Sequence, residues 1–429
     1  MSAQWWRWFC IIFLSLNLLI ISGCQTFPNS SVSEEGKQVI HLTMWHGINP
    51  PPNRDVFQKL VDNFNKTHPN IKVESLYVGQ ADQQLAKILT AVVGNAPPDI
   101  LWFSPMLTGQ LVELGAIRPV EDWLNKSPLK SDIDPVMFES MNLDGHTWSI
   151  PMGTNNIGVF YRPSLFKAAG ITQLPRTWEE FRQAARKLTQ DKNGDGRLDQ
   201  HGIILSLGKG EWTVFTWLPF MYSAGGELVQ GDKPNLVNNG AISALQLWSD
   251  MVKEGSAVLS APERGYEQDD FIAGRVAMQL TGPWTLGYLP QAGIDFDVMP
   301  VPVLEKPAAV MGGENLFVMK TLPAREQAAW EFLEYVLTEE FQTQWALGTG
   351  YLPINLKARK SQTYQDFIAK QPTLKVFLEQ MEWTRSRPII PGYSRLSDSL
   401  GRAIEATLLG GVPKEALEDA QKRLNLILN

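Results

Sequence analysis

Val39-Ile40-His41-Leu42-Thr43-Met44-Trp45 decides the class of this chain. Its β-branched content and alternating apolar positions predict a strand. The next stretch places Val56, Phe57, Leu60, Val61 and Phe64 on one face at a 3.6-residue period, which predicts a helix packed on that strand. Outward from this pair, Ile71–Val78 reads as a strand, Gln83–Val93 as a helix and Ile100–Phe103 as a short buried strand. Strand, helix, strand, helix, strand is the order of an α/β domain with a largely parallel sheet.

The pattern resumes at Gly158-Val159-Phe160-Tyr161, followed by a short helix from Pro163 to Gly170. Thr177-Trp178-Glu179-Glu180 has the spacing of a capping box, in which Thr177 accepts from the Glu180 amide and Glu180 reaches back. It opens an amphipathic helix to Leu188. Further helices are predicted at Ala241–Lys253, Arg325–Leu337 and Lys414–Leu428, enough for a second α/β lobe. Two extended, Pro-bearing stretches, Trp148–Pro151 and Asp297–Pro302, read as crossings between lobes. The expected division is 39–150 with 300–345 in one lobe and 151–299 with 346–429 in the other.

Ahead of the domain, the apolar run Phe9–Ile21 is about the length of a signal-peptide core and too short to span a bilayer. It ends in Ile21-Ser22-Gly23-Cys24, the hydrophobic, small, small, Cys pattern by which bacterial lipoproteins are cleaved and lipidated. Residues 1–23 are therefore expected to be a leader, Cys24 the lipidated residue, and 24–38 a flexible, polar tether. Acyl chains at Cys24 would hold the domain at a membrane outside the cytoplasm, at about 0.8 kcal/mol per buried CH₂. Cys10 lies in the leader, so no thiol remains for a disulfide, metal cluster or nucleophile. The formal net charge is −7, without a Lys/Arg run, which argues against nucleic acid as a partner.

The chain resembles family 1 of the extracellular solute-binding proteins of ABC sugar importers. The likeness covers essentially everything after the tether. It rests on Met44-Trp45-His46, on Phe64 through Val73, on Gly94-Asn95-Ala96-Pro97-Pro98-Asp99-Ile100, and on Pro175 through Phe181. Gly312-Gly313 and Gly350-Tyr351-Leu352-Pro353-Ile354 complete it. The order of these words is most similar to the glycerol-3-phosphate-binding branch. The resemblance implies a two-lobed periplasmic-binding-protein fold of type II-like form, with a hinge and a ligand in the interlobe cleft. It implies a monomer that captures a sugar or glycoside, needs no cofactor, and delivers its ligand to the transmembrane subunits of a permease. Sugars need aromatic platforms and hydroxyl partners, and the chain has 15 Trp and 9 Tyr.

Trp45, at the carboxyl end of the first strand, is either a cleft aromatic or a core residue, with His46 the weaker neighbour. Asp99 could bond ligand hydroxyls or cap a turn. Gln80, with Asp82 and Gln83, could reach the cleft or open a solvated helix. Thr154 and Asn155 match a Ser-rich stretch that contributes to the site in the glycerol-3-phosphate branch. Trp217 and Tyr222 read as a second-lobe platform or as a packed helix face, and Trp284 as a ligand contact. Gly312, Gly313 and Glu314 allow close approach of backbone amides to a ligand. Tyr351 has the most specific motif match. Arg395 aligns with a phosphate-binding Arg of the branch, but Ala81 stands where those relatives have Tyr, which favours a neutral sugar over a phosphate ester.

The loop Asp191–Asp199 places Asp191, Asn193, Asp195 and Asp199 at positions 1, 3, 5 and 9 of an EF-hand-like pattern. Position 12 is Gly202 rather than an acid, so the loop is either a partial calcium site of structural role or an Asx-rich turn. Three rival functions use the same fold or cleft: a glycerol-3-phosphate- or phosphodiester-binding protein of the same family, a secreted carbohydrate-active enzyme, and a chemosensor docking on a receptor. No Gly-x-Ser-x-Gly or His-Glu-x-x-His word is present, and the 5 His are scattered, so no catalytic residue is assigned.

Overall fold

The computed structural model describes residues 39–79, 81–208, 210–231, 233–261 and 268–428. Cys24, the leader and the tether lie outside them. Each of two lobes is built on a five-stranded sheet. In the first, Ile40–His46 lies between Ile71–Tyr77 and Ile100–Phe103, parallel to both. The returning segment Asn315–Val318 then runs antiparallel to Ile100–Phe103, and Ile150–Pro151 closes the edge. The second sheet runs Ala257–Leu259, His201–Leu205, Val276–Thr281, Gly158–Tyr161, Asp297–Met299. Its first three strands are parallel and its last two antiparallel to their neighbours.

The predicted helices form where their apolar faces have a sheet to cover. Pro51–Thr67 buries Phe57, Leu60, Val61 and Phe64 against the first sheet, with proline at its first turn, where no amide partner is needed. Trp178–Leu188 begins at a complete capping box: Thr177 Oγ1 accepts from the Glu180 amide at 3.3 Å, and Glu180 accepts from the Thr177 amide at 3.0 Å. The helix Glu211–Ser223 has no amphipathic period because nearly every side chain is buried, and it contains Pro219. Periodicity therefore does not reveal it.

Both stretches expected to cross between lobes are edge strands instead, one in each sheet. The crossings come a few residues later in the chain and lie side by side. The Thr154 amide donates to the Leu352 carbonyl at 3.0 Å, and the Leu352 amide donates back at 2.8 Å. Gly312 and Asn155 exchange bonds of 2.8 and 3.3 Å in the same way. This three-segment ladder is the waist of the molecule. Tyr351 and Ile354 pack in the first core, whereas Leu352 packs in the second lobe. The chain thus leaves the first lobe later than the boundary at residue 345 expected from sequence.

Candidate functional site: the interlobe cleft

A cleft opens between the lobes, above the waist. Its first-lobe wall comes from the carboxyl ends of the parallel strands, where open α/β sheets present ligands. Gly47 and Asn49 follow the first strand, while Trp102, Phe103 and Ser104 end the third. Gly47 lets the chain pass close by: a Cβ there would stand 2.7 Å from the Gly79 carbonyl oxygen. Gln84 turns in from the helix Ala81–Val93, with Nε2 donating to the Trp102 carbonyl at 3.0 Å.

The second-lobe wall is carried by the helix Glu211–Ser223 and by the turn after Val276–Thr281. Glu211, Trp212 and Phe215 face the cleft from the first, and Trp284 from the second. Gly282 makes the Trp284 position possible, because a Cβ there would lie 2.0 Å from the folded-back indole. The rings form a relay across the molecule. Trp212 and Trp284 stand 5.9 Å apart, Trp284 and Tyr351 6.5 Å, and Tyr351 and Trp345 5.4 Å between centroids. Trp284 packs on the main cores of both lobes. Such rings offer flat apolar faces for the C–H surface of a sugar.

The floor is the waist itself, with Asn155, Gly312, Gly313, Glu314 and Tyr351. Gly313 has φ +106°, and a Cβ would lie 2.5 Å from the Gly153 carbonyl oxygen. The glycine pair is therefore required first by the close packing of crossing segments. Tyr351 donates its hydroxyl to Glu314 Oε2 at 3.4 Å. Gln84 Oε1, Asn155 Oδ1 and Arg387 Nε are buried without a hydrogen-bond partner among the described residues. Buried polar atoms rarely stay so, and all of these belong to cleft-lining residues. They are the groups available to ligand hydroxyls.

The one basic residue among the described lining residues is Arg387, which donates to Glu211. Glu211 also accepts from the Tyr393 hydroxyl at 2.9 Å and from Ser397 Oγ. Burial, reinforced by the Glu211 carboxylate, holds the Tyr393 phenol well above its ordinary range. Burial opposes the Arg387 charge, but Glu211 and its neighbours outweigh it and keep the guanidinium firmly protonated.

Of the residues singled out from sequence, Asn155, Trp284, Gly312, Gly313, Glu314 and Tyr351 line the cleft. The others are placed elsewhere. Trp45 packs with Leu101 and Phe103 in a small core beneath the helix Ala81–Val93. Asp99 sits at the entry of the third strand, away from the cleft, bonding the Thr43 amide at 2.7 Å and Arg325 through both carboxylate oxygens. Thr154 is absorbed in the waist, with Oγ1 donating to the Gly312 carbonyl. Trp217 is wholly buried in the second-lobe core, and Tyr222 is buried beneath the Arg385 guanidinium, 4.6 Å from it. Arg395 is exposed on the outer side of the helix Tyr393–Leu408, and the cleft arginine is Arg387. Gln80 lies outside the described residues.

The Asp191–Asp199 loop is organised by its own amides. Asp191 accepts from Gly194 at 2.7 Å and Gly196 at 2.8 Å, and Asp199 from Lys192 at 2.7 Å. Asp195 and Asn193 likewise accept amides two residues on. This is Asx-turn geometry, and among the described residues no three His, Cys, Asp or Glu side chains converge as a metal site.

Sequence words missed Gln84, Trp102, Glu211, Trp212, Phe215 and Arg387. The strand-end position of Trp102 was readable by the same rule that suggested Trp45. The helix of Glu211–Phe215 gave no periodic signal.

Residues 59–374 match the family model described as bacterial extracellular solute-binding protein. A putative binding protein of Brucella abortus is 24% identical over 382 residues, covering 87% of this chain and 89% of that protein. The sn-glycerol-3-phosphate-binding periplasmic protein UgpB of Pectobacterium atrosepticum is 25% identical, covering 95% of each chain. Among solved structures, an ABC transporter solute-binding protein of Thermotoga lettingae, bound with α-D-tagatose, superposes with TM-score 0.79 at 25% identity. That match covers 91% of this chain and all of the other.

Proposed function

The chain belongs to the bacterial extracellular solute-binding protein family, and from that premise we propose that it is the substrate-binding component of an ABC importer for a sugar or glycoside. The observation that carries this reading is the aromatic relay Trp212–Trp284–Tyr351 spanning an interlobe cleft in which the buried amide oxygens of Gln84 and Asn155 are unpartnered. A disaccharide or small glycoside would lie on these rings, with its hydroxyls bonded to Asn155, Gln84 and Glu314. By touching both walls and the waist, the ligand gains contacts that only a closed cleft offers. Its differential affinity then shifts the population toward the closed form. The closed lobe surfaces would be what the permease recognises. The protein works as a monomer outside the cytoplasm, tethered by acyl chains on Cys24, and performs no chemistry on its ligand.

A thermal-shift screen of the chain from residue 25 onward against neutral sugars, glycosides and glycerol phosphates tests this reading. A ligand that binds only the folded state stabilises it by about 2.7 kcal/mol at 100 times its dissociation constant. A selective rise with one neutral sugar class is expected. A flat screen at high sugar concentrations would refute it.

A further inference from the structure

The charges on the cleft wall are arranged in an order that neither the aromatic relay nor the amides require. Among the described lining residues there is one cation, Arg387, and there are two carboxylates, Glu211 and Glu314. Arg387 is only 6% exposed, lies against the Phe215 ring at 4.8 Å, and gives its Nη1 to Glu211 Oε1. Glu211 is fixed from behind by Tyr393 and Ser397, which sit four apart on one helix and so share a face. Glu211 is only partly buried, but three donors hold its carboxylate in place against an arriving ligand.

We infer that Glu211 sets the charge specificity of the cleft: by occupying Arg387 it admits a neutral polyol and rejects a phosphomonoester, and removing its charge opens the same cleft to phosphate. The inference rests on the reading of this cleft as the sugar site. Arginine holds a phosphate through two parallel N–H groups of a free guanidinium edge. Here Nη1 is already bound to Glu211, so the Nη1–Nη2 edge is taken, and the Glu211 carboxylate offsets the charge that the remaining Nε would present to a phosphate. An incoming dianion would also meet the Glu211 and Glu314 carboxylates in a cleft where water screens poorly, and like charges there are strongly repelled. A sugar hydroxyl carries no such penalty and can accept from Nε, which is buried and unpartnered.

The test is calorimetric titration of the full-length protein and its Glu211→Gln variant with sn-glycerol 3-phosphate, inorganic phosphate, maltose and trehalose, at low and high salt. The wild type is expected to show no saturable binding of either phosphate compound. Glu211→Gln should gain affinity for glycerol 3-phosphate by about tenfold or more, the worth of one charge-assisted contact. High salt should weaken that gain, and adding Arg387→Gln should abolish it. A folded Glu211→Gln protein that binds glycerol 3-phosphate no better than wild type overturns the inference. So does a wild type that binds it as tightly as the variant. If Glu211→Gln does not fold, the double variant Tyr393→Phe, Ser397→Ala keeps both charges but frees the carboxylate. A smaller gain is expected there, and no gain overturns the inference. Phosphate binding gained by Glu211→Gln, with neutral sugars ignored by both proteins, would sink the sugar reading while upholding the charge role of Glu211.

Discussion

Trp284 and Tyr351 meet at a centroid distance of 6.5 Å where the two lobes come together, one ring carried by the turn after a second-lobe strand and the other by the waist. A ligand seated on this pair touches both lobes at once. That is the geometric requirement for coupling ligand binding to closure. Tyr351 is 9% exposed and also leans on Trp345, so its ring serves the cleft and the first core together. Tyr351→Ala should weaken sugar binding by about 1–3 kcal/mol and also lower stability, because a partly buried ring is lost. Tyr351→Phe removes only the hydroxyl that reaches Glu314 and should keep full stability. Denaturant melts beside titrations of both variants separate the two roles.

Asp99 and Arg325 form a bidentate pair with bonds of 2.7 Å, and Asp99 is 3% exposed. Removing one partner of such a pair leaves a charge without compensation. Asp99→Ala should therefore cost about 3 kcal/mol of stability. Sugar affinity should be unchanged, since Asp99 lies at the far end of the third strand from the cleft. A loss of affinity without a loss of stability would return Asp99 to the binding site.

Gly313 holds φ +106° in the waist. Gly313→Ala must both adopt an unfavourable backbone conformation and displace the neighbouring segment, at a cost of about 1–3 kcal/mol or more. The denaturation midpoint should fall accordingly. Gly170, also at positive φ but with open space around its Cβ direction, should be the milder site for the same change.

His46 ends the first strand, buried against Phe57 at 5.4 Å, with its Nδ1 accepting from the Ile48 amide at 3.3 Å. Burial, with Arg54 nearby, lowers its pKa from 6.5 to about 4. The folded state thus prefers neutral imidazole. Its contribution is fully present above pH 6.5 and is lost as pH falls toward 4, amounting to about 3 kcal/mol at most. Denaturant melts at pH 7 and pH 4.5 should differ by less in His46→Gln than in the wild type.

The fold was legible because each early element carried its own signal. Ile40–His46 alternates, Pro51–Thr67 has a clean apolar stripe, and Thr177 and Glu180 stand at capping-box spacing. The waist was not legible: Trp148–Pro151 and Asp297–Pro302 have the extended, Pro-bearing look of connectors, yet each adds an edge strand. A strand edge and a crossing share the same local chemistry, and only pairing distinguishes them. The cleft divided along the same line. Tyr351, Trp284 and the Gly312-Gly313 pair stood in specific words, whereas Glu211, Trp212 and Phe215 begin a helix that is buried on every face from Thr213 onward and so shows no periodicity. Arg395 and Arg387 stand close together in sequence. Which of them turns inward depends on where the helix Tyr393–Leu408 begins, and sequence spacing does not set that.

The most direct measurement is calorimetric titration of the neutral sugar that gives the largest thermal shift, into the wild type and into Trp284→Ala. One site per chain, unchanged sugar recovered after the titration, and a loss of affinity of about tenfold or more in the variant are expected. Undiminished binding by Trp284→Ala would contradict the interlobe cleft as the site. Conversion of the sugar to product would contradict the transport reading itself.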